Sequence, residues 1–141
     1  MKRIPELRSL SVDHHHGLVL AHRAKKAADG TGERSLEEMW AEVERAYREE
    51  LELHFHIEEV YLGPPLEAVG ENRMVERLKE EHHDLRGMVQ DRTDRTSETL
   101  RRFGDHLERH IRFEERELFE TAQAKLAPEV LKAVEEASQV E

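Results

Sequence analysis

Apolar residues recur every three or four positions through four long stretches of this 141-residue chain. The second stretch shows the spacing most clearly, in the series Leu36, Trp40, Val43, Tyr47 and Leu51. Residues at this spacing lie on one face of an α-helix, so each stretch predicts a helix with one apolar face. The four helices are expected over residues 13–28, 36–62, 72–92 and 98–125. Patterns typical of β-strands are nearly absent.

Polar, glycine-rich or proline-rich segments separate the predicted helices. Residues 29–32 end the first helix, and residues 63–65 (Gly-Pro-Pro) are expected to end the second, since proline cannot continue a helix interior. Residues 35–38 (Ser-Leu-Glu-Glu) form a capping box for the second helix. Ser11 or Asp13 is expected to cap the first helix by accepting a free backbone N–H.

Four helices joined by short connections predict an all-α fold, namely an antiparallel up-down four-helix bundle. Pro128 is well placed as the first residue of a short C-terminal helix. We expect a single domain over residues 1–141, with the bundle core at about 10–126 and the terminal helix at about 128–139.

Composition excludes several classes of function. The formal net charge of −10 argues against binding to nucleic-acid phosphates, which requires a basic face. The chain has no cysteine, which excludes disulfides, cysteine-ligated metal sites and a thiol nucleophile. No apolar run approaches the ~20 residues that span a bilayer, and the N-terminus has no apolar leader. We therefore expect a cytoplasmic protein with neither a nucleic-acid nor a membrane partner.

The chain contains ten histidines, dispersed rather than grouped as a tag. Two of them interrupt the apolar faces of the second and fourth helices, each together with a glutamate four residues later. These pairs are His54 with Glu58 and His110 with Glu114. Residues four apart stack on one face of a helix, so both pairs are expected to face the core.

The other two helices each add an inward histidine. His82 lies on the apolar face of the third helix, between Leu78 and Leu85. In the first helix, both His14 and His15 stand at helical spacing from the apolar residues, and either can be the inward one. In an up-down bundle all these positions reach the same half of the molecule.

Inward carboxylates need a partner, because an unpaired charge in a core costs several kcal/mol. A divalent metal would pair the glutamates and use the neutral imidazoles as ligands. The donor set exceeds what one tetrahedral zinc requires. It suits two metal ions bridged by the carboxylates with one open position, as is typical of non-haem iron. A hydrogen-bonded histidine network without metal is the alternative.

The remaining histidines have weaker cases. His106 lies four residues before His110 and is a candidate for an additional ligand or for a hydrogen-bond partner of a ligand. His83 would replace His82 as the ligand if the third helix were rotated, and is otherwise expected at the boundary or in solvent. His22 is expected in the core or beside a ligand. Two more are expected at the boundary or surface, namely His16 and His56.

Four segments carry a resemblance to a known family: residues 13–18, 54–59, 81–86 and 110–119. Together they resemble the hemerythrin family, in particular its bacterial and archaeal hemerythrin-like (HHE cation-binding) branch, over residues 10 to about 120. The resemblance implies a four-helix bundle around an oxo- or hydroxo-bridged pair of non-haem iron ions. It implies the following metal ligands: His14 or His15, His54, Glu58, His82, His110 and Glu114.

The chain departs from the oxygen-carrying hemerythrins at two positions. Those proteins have a second histidine four residues after the first in helix 3, where this chain has Arg86. They also have an aspartate five residues after the helix-4 histidine, where this chain has Glu115, so Glu114 is the better ligand. The rival ferritin-like arrangement needs Glu-x-x-His in two helices, and only Glu80 with His83 has that spacing.

Residues and resemblance together predict a non-haem di-iron protein that binds or reacts with O₂, NO or peroxide. Such a protein would act as a redox or oxygen sensor or would handle peroxide, with that small molecule as its partner. Manganese or zinc in place of iron stays open, as does the question of whether the protein is an enzyme. The alternative is a non-enzymatic module that binds or stores iron or responds to metal.

Overall fold

The computed structural model describes residues 2–139. All regular secondary structure in these residues is helical, and they contain no β-strand. Its helices are α1 (Pro5–Ala28), α2 (residues 36–62), α3 (Gly63–Ala68), α4 (Asn72–Gln90), α5 (residues 97–125) and α6 (Pro128–Ser138). The four long helices α1, α2, α4 and α5 form the predicted bundle. None of the described helices is both long and apolar enough to cross a membrane.

Helix α1 begins eight residues before the predicted start, so the prediction of a cap at Ser11 or Asp13 is wrong. Pro5 occupies the first turn, where its missing N–H costs nothing. The preceding residue, Ile4, provides no side-chain cap, and its backbone N–H donates to Gln123 Oε1 at 3.1 Å. Leu7 and Leu10 continue the buried face of the helix toward the N-terminus, at 0% and 1% exposure. Burial of these roughly two extra turns therefore stabilises the longer helix.

The predicted capping box is confirmed, but the helix break expected at residues 63–65 is absent, because these residues begin α3. The Ser35 side chain accepts from the Glu38 backbone N–H, and the Glu38 side chain accepts in return from the Ser35 backbone N–H. Pro64 and Pro65 do not end the helical path, because they lie in the first turn of α3, which follows α2 directly. Thr96, in the predicted polar break, caps α5.

Two of the long helices contain π-helical turns, in which hydrogen bonds run from residue i to i+5. Helix α2 contains two such turns, Tyr47–Leu51 and Glu58–Leu62. Helix α5 contains one, Glu114–Leu118. Each π-helical turn adds one residue to the helix and so re-aims the side chains around it.

The buried apolar residues form two clusters, one toward each end of the bundle. One cluster centres on residues such as Trp40, Leu85 and Phe103. The other contains Leu62 and Phe119 and is closed by α6, whose buried residues pack onto it. Histidines and glutamates occupy the layer between the two clusters.

Candidate metal centre

Six polar side chains are buried in this middle layer, each at 4% exposure or less. Every long helix of the bundle contributes at least one of them. They are His14 from α1, His54 and Glu58 from α2, His82 from α4, and His110 and Glu114 from α5. The predicted meeting of these positions in one place is what the structure shows.

The six side chains form two groups of four, and in each group the ligand atoms lie within 4.8 Å of one another. The first group is His14, His54, Glu58 and Glu114. The second group is Glu58, His82, His110 and Glu114. Two histidines are therefore specific to each group, whereas both glutamates belong to both.

The two oxygens of each shared glutamate face different groups. The Oε2 of Glu58 lies 3.1 Å from His54 Nε2, and its Oε1 lies 3.1 Å from His82 Nε2. The Oε1 of Glu114 lies 2.5 Å from His14 Nε2, and its Oε2 lies 3.0 Å from His110 Nε2. Each shared glutamate therefore directs one oxygen toward the histidines of each group.

Each of the four histidines also donates from Nδ1 to a carboxylate outside the two groups. The pairs are His14 with Glu115 (2.5 Å), His54 with Asp13 (3.1 Å), His82 with Glu59 (2.6 Å) and His110 with Glu81 (2.7 Å). These bonds fix the ring orientation and turn Nε2 inward, where it can bind a cation once its proton is displaced.

The sequence pattern suggested only a capping role for Asp13 and no role for the other three outer carboxylates. A local pattern could have found them, because each is the chain neighbour of an inner residue. Asp13 and Glu81 precede the histidines of α1 and α4, and Glu59 and Glu115 follow the shared glutamates. Each one then crosses to a histidine on a different helix.

The electrostatics of the layer favour charged carboxylates. Burial lowers the pKa of His82, but the close carboxylates of Glu114, Glu58 and Glu59 outweigh burial and raise this pKa to about 10. Burial raises the pKa of Glu59, yet hydrogen bonds from His82 and Arg86 bring it down to about 2. A cation that binds to the inward Nε2 atoms of the histidines would displace their protons.

Aromatic rings hold two of the imidazoles in place. Phe55 stacks on His82 with 4.0 Å between ring centroids and an interplanar angle of 17°. Phe119 stacks on His14 at 5.0 Å and 14°. Both histidine rings are therefore fixed by an apolar face as well as by a hydrogen bond.

The donor atoms of the layer are better placed to bind metal ions than to form hydrogen bonds with one another. Several are buried without a hydrogen-bond partner of good geometry: both carboxylate oxygens of Glu58, Nε2 of His82, Nε2 of His110 and Oε2 of Glu114. Leaving such atoms unsatisfied costs about 1–3 kcal/mol each. Imidazole nitrogen and carboxylate oxygen are also ligands that iron, manganese and zinc accept.

The structure separates the histidine alternatives that the sequence left open. His14 joins the cluster, whereas His15 is exposed, because one residue along a helix turns the side chain by about 100°. His83 is exposed for the same reason, and His106 is half-buried and belongs to neither group. The predicted inner position of His22 is wrong, since that side chain is exposed. The other two are exposed, as predicted: His16 and His56.

A small cavity of about 10 Å³ for the centre of a water-sized molecule adjoins His14, His54 and His110. Its other walls include Leu51, Phe55, Leu107 and Ile111. This is about the space of a single water-sized molecule. The cavity is thus apolar on one side and faces the histidines on the other.

A helical bundle with two buried His₂Glu₂ groups that share both glutamates defines a metal-binding bundle protein. The family model of the hemerythrin HHE cation-binding domain matches residues 6–122, and the chain belongs to this family. Comparisons with curated proteins and with solved structures give no match. Membership in the family agrees with the resemblance of the four sequence segments and indicates that the domain binds metal cations.

Proposed function

We propose that the domain holds two iron ions, one in each group, with Glu58 and Glu114 as bridging ligands. The sharing of both glutamates between the two groups is the observation that supports this proposal most directly. A single ion would use one group and leave the two histidines of the other without a ligand role.

The proposed centre has open coordination positions. Each group offers two imidazoles and two carboxylate oxygens, fewer donors than six-coordinate iron accepts. Bound iron would supply redox-active positions at which a small oxidant can be held. The cavity beside His14 and His54 has room for about one water-sized molecule and is apolar on one side, which favours a very small ligand, so we propose O₂, NO or peroxide as the partner.

A non-enzymatic iron-binding or metal-responsive module is the second candidate. One observation favours it: in the described part of the chain, the titratable groups that line the cavity are Asp13, His14, His54 and His110. All four already belong to the centre or hydrogen-bond to it. No separate acid is therefore at hand to donate a proton to a bound oxidant, and His106 does not line the cavity.

The first experiment measures iron per chain by mass spectrometry after expression in iron-supplemented medium. The proposal expects about two irons per chain. Zinc, or no metal even after anaerobic loading with Fe(II), would contradict the iron centre. The Fe(II) form is then exposed to O₂, NO or peroxide while its optical spectrum is recorded. A change supports oxidant chemistry, whereas an inert spectrum supports the storage or metal-responsive alternative.

A further inference from the structure

Three of the four outer carboxylates are paired with an arginine. These pairs are Glu115 with Arg3 (3.1 Å), Glu59 with Arg86 (2.8 Å) and Glu81 with Arg77 (2.9 Å). The guanidinium group in each pair balances a carboxylate whose other neighbour is a buried histidine. An arginine beside the outer carboxylate therefore recurs at three of the four buried histidines.

Asp13 is the exception. Among the described residues, its ion-pair partner is His54, and His16 and Glu50 lie beside it instead of an arginine. The ligand atoms of Asp13, His16 and Glu50 all lie within 4.8 Å of one another. Two carboxylates this close repel each other when both are ionised, so a positive group beside them is stabilising. In the part of the chain that the structure describes, the His16 imidazole stands there instead of an arginine.

Helix geometry brings these three residues together. Asp13 and His16 are three residues apart on the same face of α1, and Glu50 projects from the π-helical turn Tyr47–Leu51 of α2. The Nδ1 of His16 donates to Glu50 at 2.7 Å, which holds the imidazole beside both carboxylates.

The cluster is open to water, unlike the buried centre. The side chain of His16 is 55% exposed, and those of Glu50 and Asp13 are 34% and 30% exposed. A surface groove of about 470 Å³ between α1 and α2 borders His16 and Glu50. A hydrated cation can therefore reach the cluster and keep some of its water ligands.

We propose that Asp13, His16 and Glu50 form a third divalent-cation site, at the surface beside the buried centre. One imidazole and two carboxylates suit Mn²⁺, Fe²⁺ or Zn²⁺ rather than Ca²⁺, which takes oxygen ligands only. The cation stands where the other outer carboxylates have a guanidinium group. Asp13 then joins the two sites, because one side of its carboxylate faces the cation and the other accepts from His54.

The test is a titration with Mn²⁺, whose free aqueous form gives a strong paramagnetic resonance signal. The metal content of the buried centre is measured first, so the added ion is counted separately from resident metal. We expect one further Mn²⁺ per chain at saturation. His16→Ala and Glu50→Gln are each expected to weaken its binding by about tenfold or more.

His22→Ala is the matched control, since it removes another exposed histidine of α1 outside the cluster. It is expected to leave Mn²⁺ binding unchanged. Circular dichroism verifies the fold of each variant, and repeated metal analysis shows whether Mn²⁺ has replaced resident metal. No Mn²⁺ bound beyond the buried centre, or equal binding in His16→Ala and the unmodified chain, would overturn the proposal. Either result leaves the buried centre unaffected, because its ligands are different residues.

Discussion

Glu58 and Glu114 each begin a π-helical turn, and each lies four residues after a buried histidine of its own helix. Both direct one carboxylate oxygen toward each pair of histidines. The residue after each glutamate crosses to a histidine of another helix. If α1 is exchanged with α4, and α2 with α5, each inner or outer residue takes the place of an equivalent residue. The two halves of the site are therefore built alike.

Removal of a shared glutamate should weaken metal binding in both halves of the site. Glu58→Ala is expected to reduce bound metal from about two ions per chain to one or fewer, because each ion loses a ligand and the bridge between them is lost. Metal analysis with circular dichroism provides the measurement. Glu52→Ala, at an exposed position of α2, should keep the full metal content. Unchanged metal in the Glu58 variant would refute its assignment as a bridge.

Glu59, the outer carboxylate beside His82, should tune the metal affinity of the buried centre without being one of its ligands. Glu59→Gln keeps the size of the side chain but removes the charge that holds His82 Nδ1 at 2.6 Å. Loss of such a partner typically lowers metal affinity by about 10–100-fold. Competition with a chelator of known affinity measures the effect. Glu76→Gln, an exposed change on α4, serves as the control and should match the unmodified chain.

The stability of protein stripped of metal should be greatest at mildly acidic pH. The pKa of His82 is raised from 6.5 to about 10, so its contribution is complete below pH 6.5 and is lost as pH rises through 10. The pKa of Glu59 is lowered from 4.5 to about 2, so its contribution is complete above pH 4.5 and is lost as pH falls through 2. Calorimetry across this pH range measures the melting temperature.

Loading the protein with metal should remove the alkaline decline, because metal-bound imidazoles no longer exchange a stabilising proton. Addition of a chelator at neutral pH should lower the melting temperature of the loaded protein. A melting temperature that changes with neither metal nor chelator would instead favour a histidine network without metal.

The sequence predicted most of the inner residues but not the details of helix α1. Spacing from buried leucines placed His54, His82 and His110 correctly on the inner faces of their helices. In α1 the reference residue was Leu18, which is only half-buried. The buried face of that helix runs through His14, Gly17, Ala21 and Ala24, and small residues leave little trace in a hydrophobic pattern. The wrong prediction for His22 and the open choice between His14 and His15 therefore have one cause, a rotation of the predicted buried face by one residue.

The π-helical turns lay beyond sequence reasoning for a different reason. An i to i+5 hydrogen-bond pattern has no residue preference comparable to a cap or a proline. It depends on tertiary packing. At the turn Glu58–Leu62, Glu58 faces both groups of histidines while Glu59 accepts from His82. Such turns occur frequently at functional sites.

The apolar cavity should control access of small ligands. Leu107→Phe would fill the space beside His110, with a packing penalty of about 1–3 kcal/mol when a ligand must share it. A penalty of 1.4 kcal/mol corresponds to about tenfold weaker binding. Titration of the Fe(II) protein with NO measures affinity, and metal content should stay constant. The volume-conserving Leu107→Met should bind NO nearly as the unmodified chain does, and equal affinity in all three would show that NO does not use this cavity.

The close contact between α1 and α5 should respond unequally to added methyl groups. A Cβ at Gly104 would lie 2.9 Å from the backbone oxygen of Ala21, so Gly104→Ala must push the helices apart and is expected to cost about 1–3 kcal/mol. A Cβ at Gly17 would meet the tip of the Ile111 side chain at 2.7 Å, which can move aside at smaller cost. Gly87→Ala meets nothing within 4 Å and should stabilise α4 by roughly 0.5–1 kcal/mol. Chemical denaturation of the three variants measures these differences, and a Gly104 variant as stable as the Gly87 variant would contradict the close approach of α1 and α5.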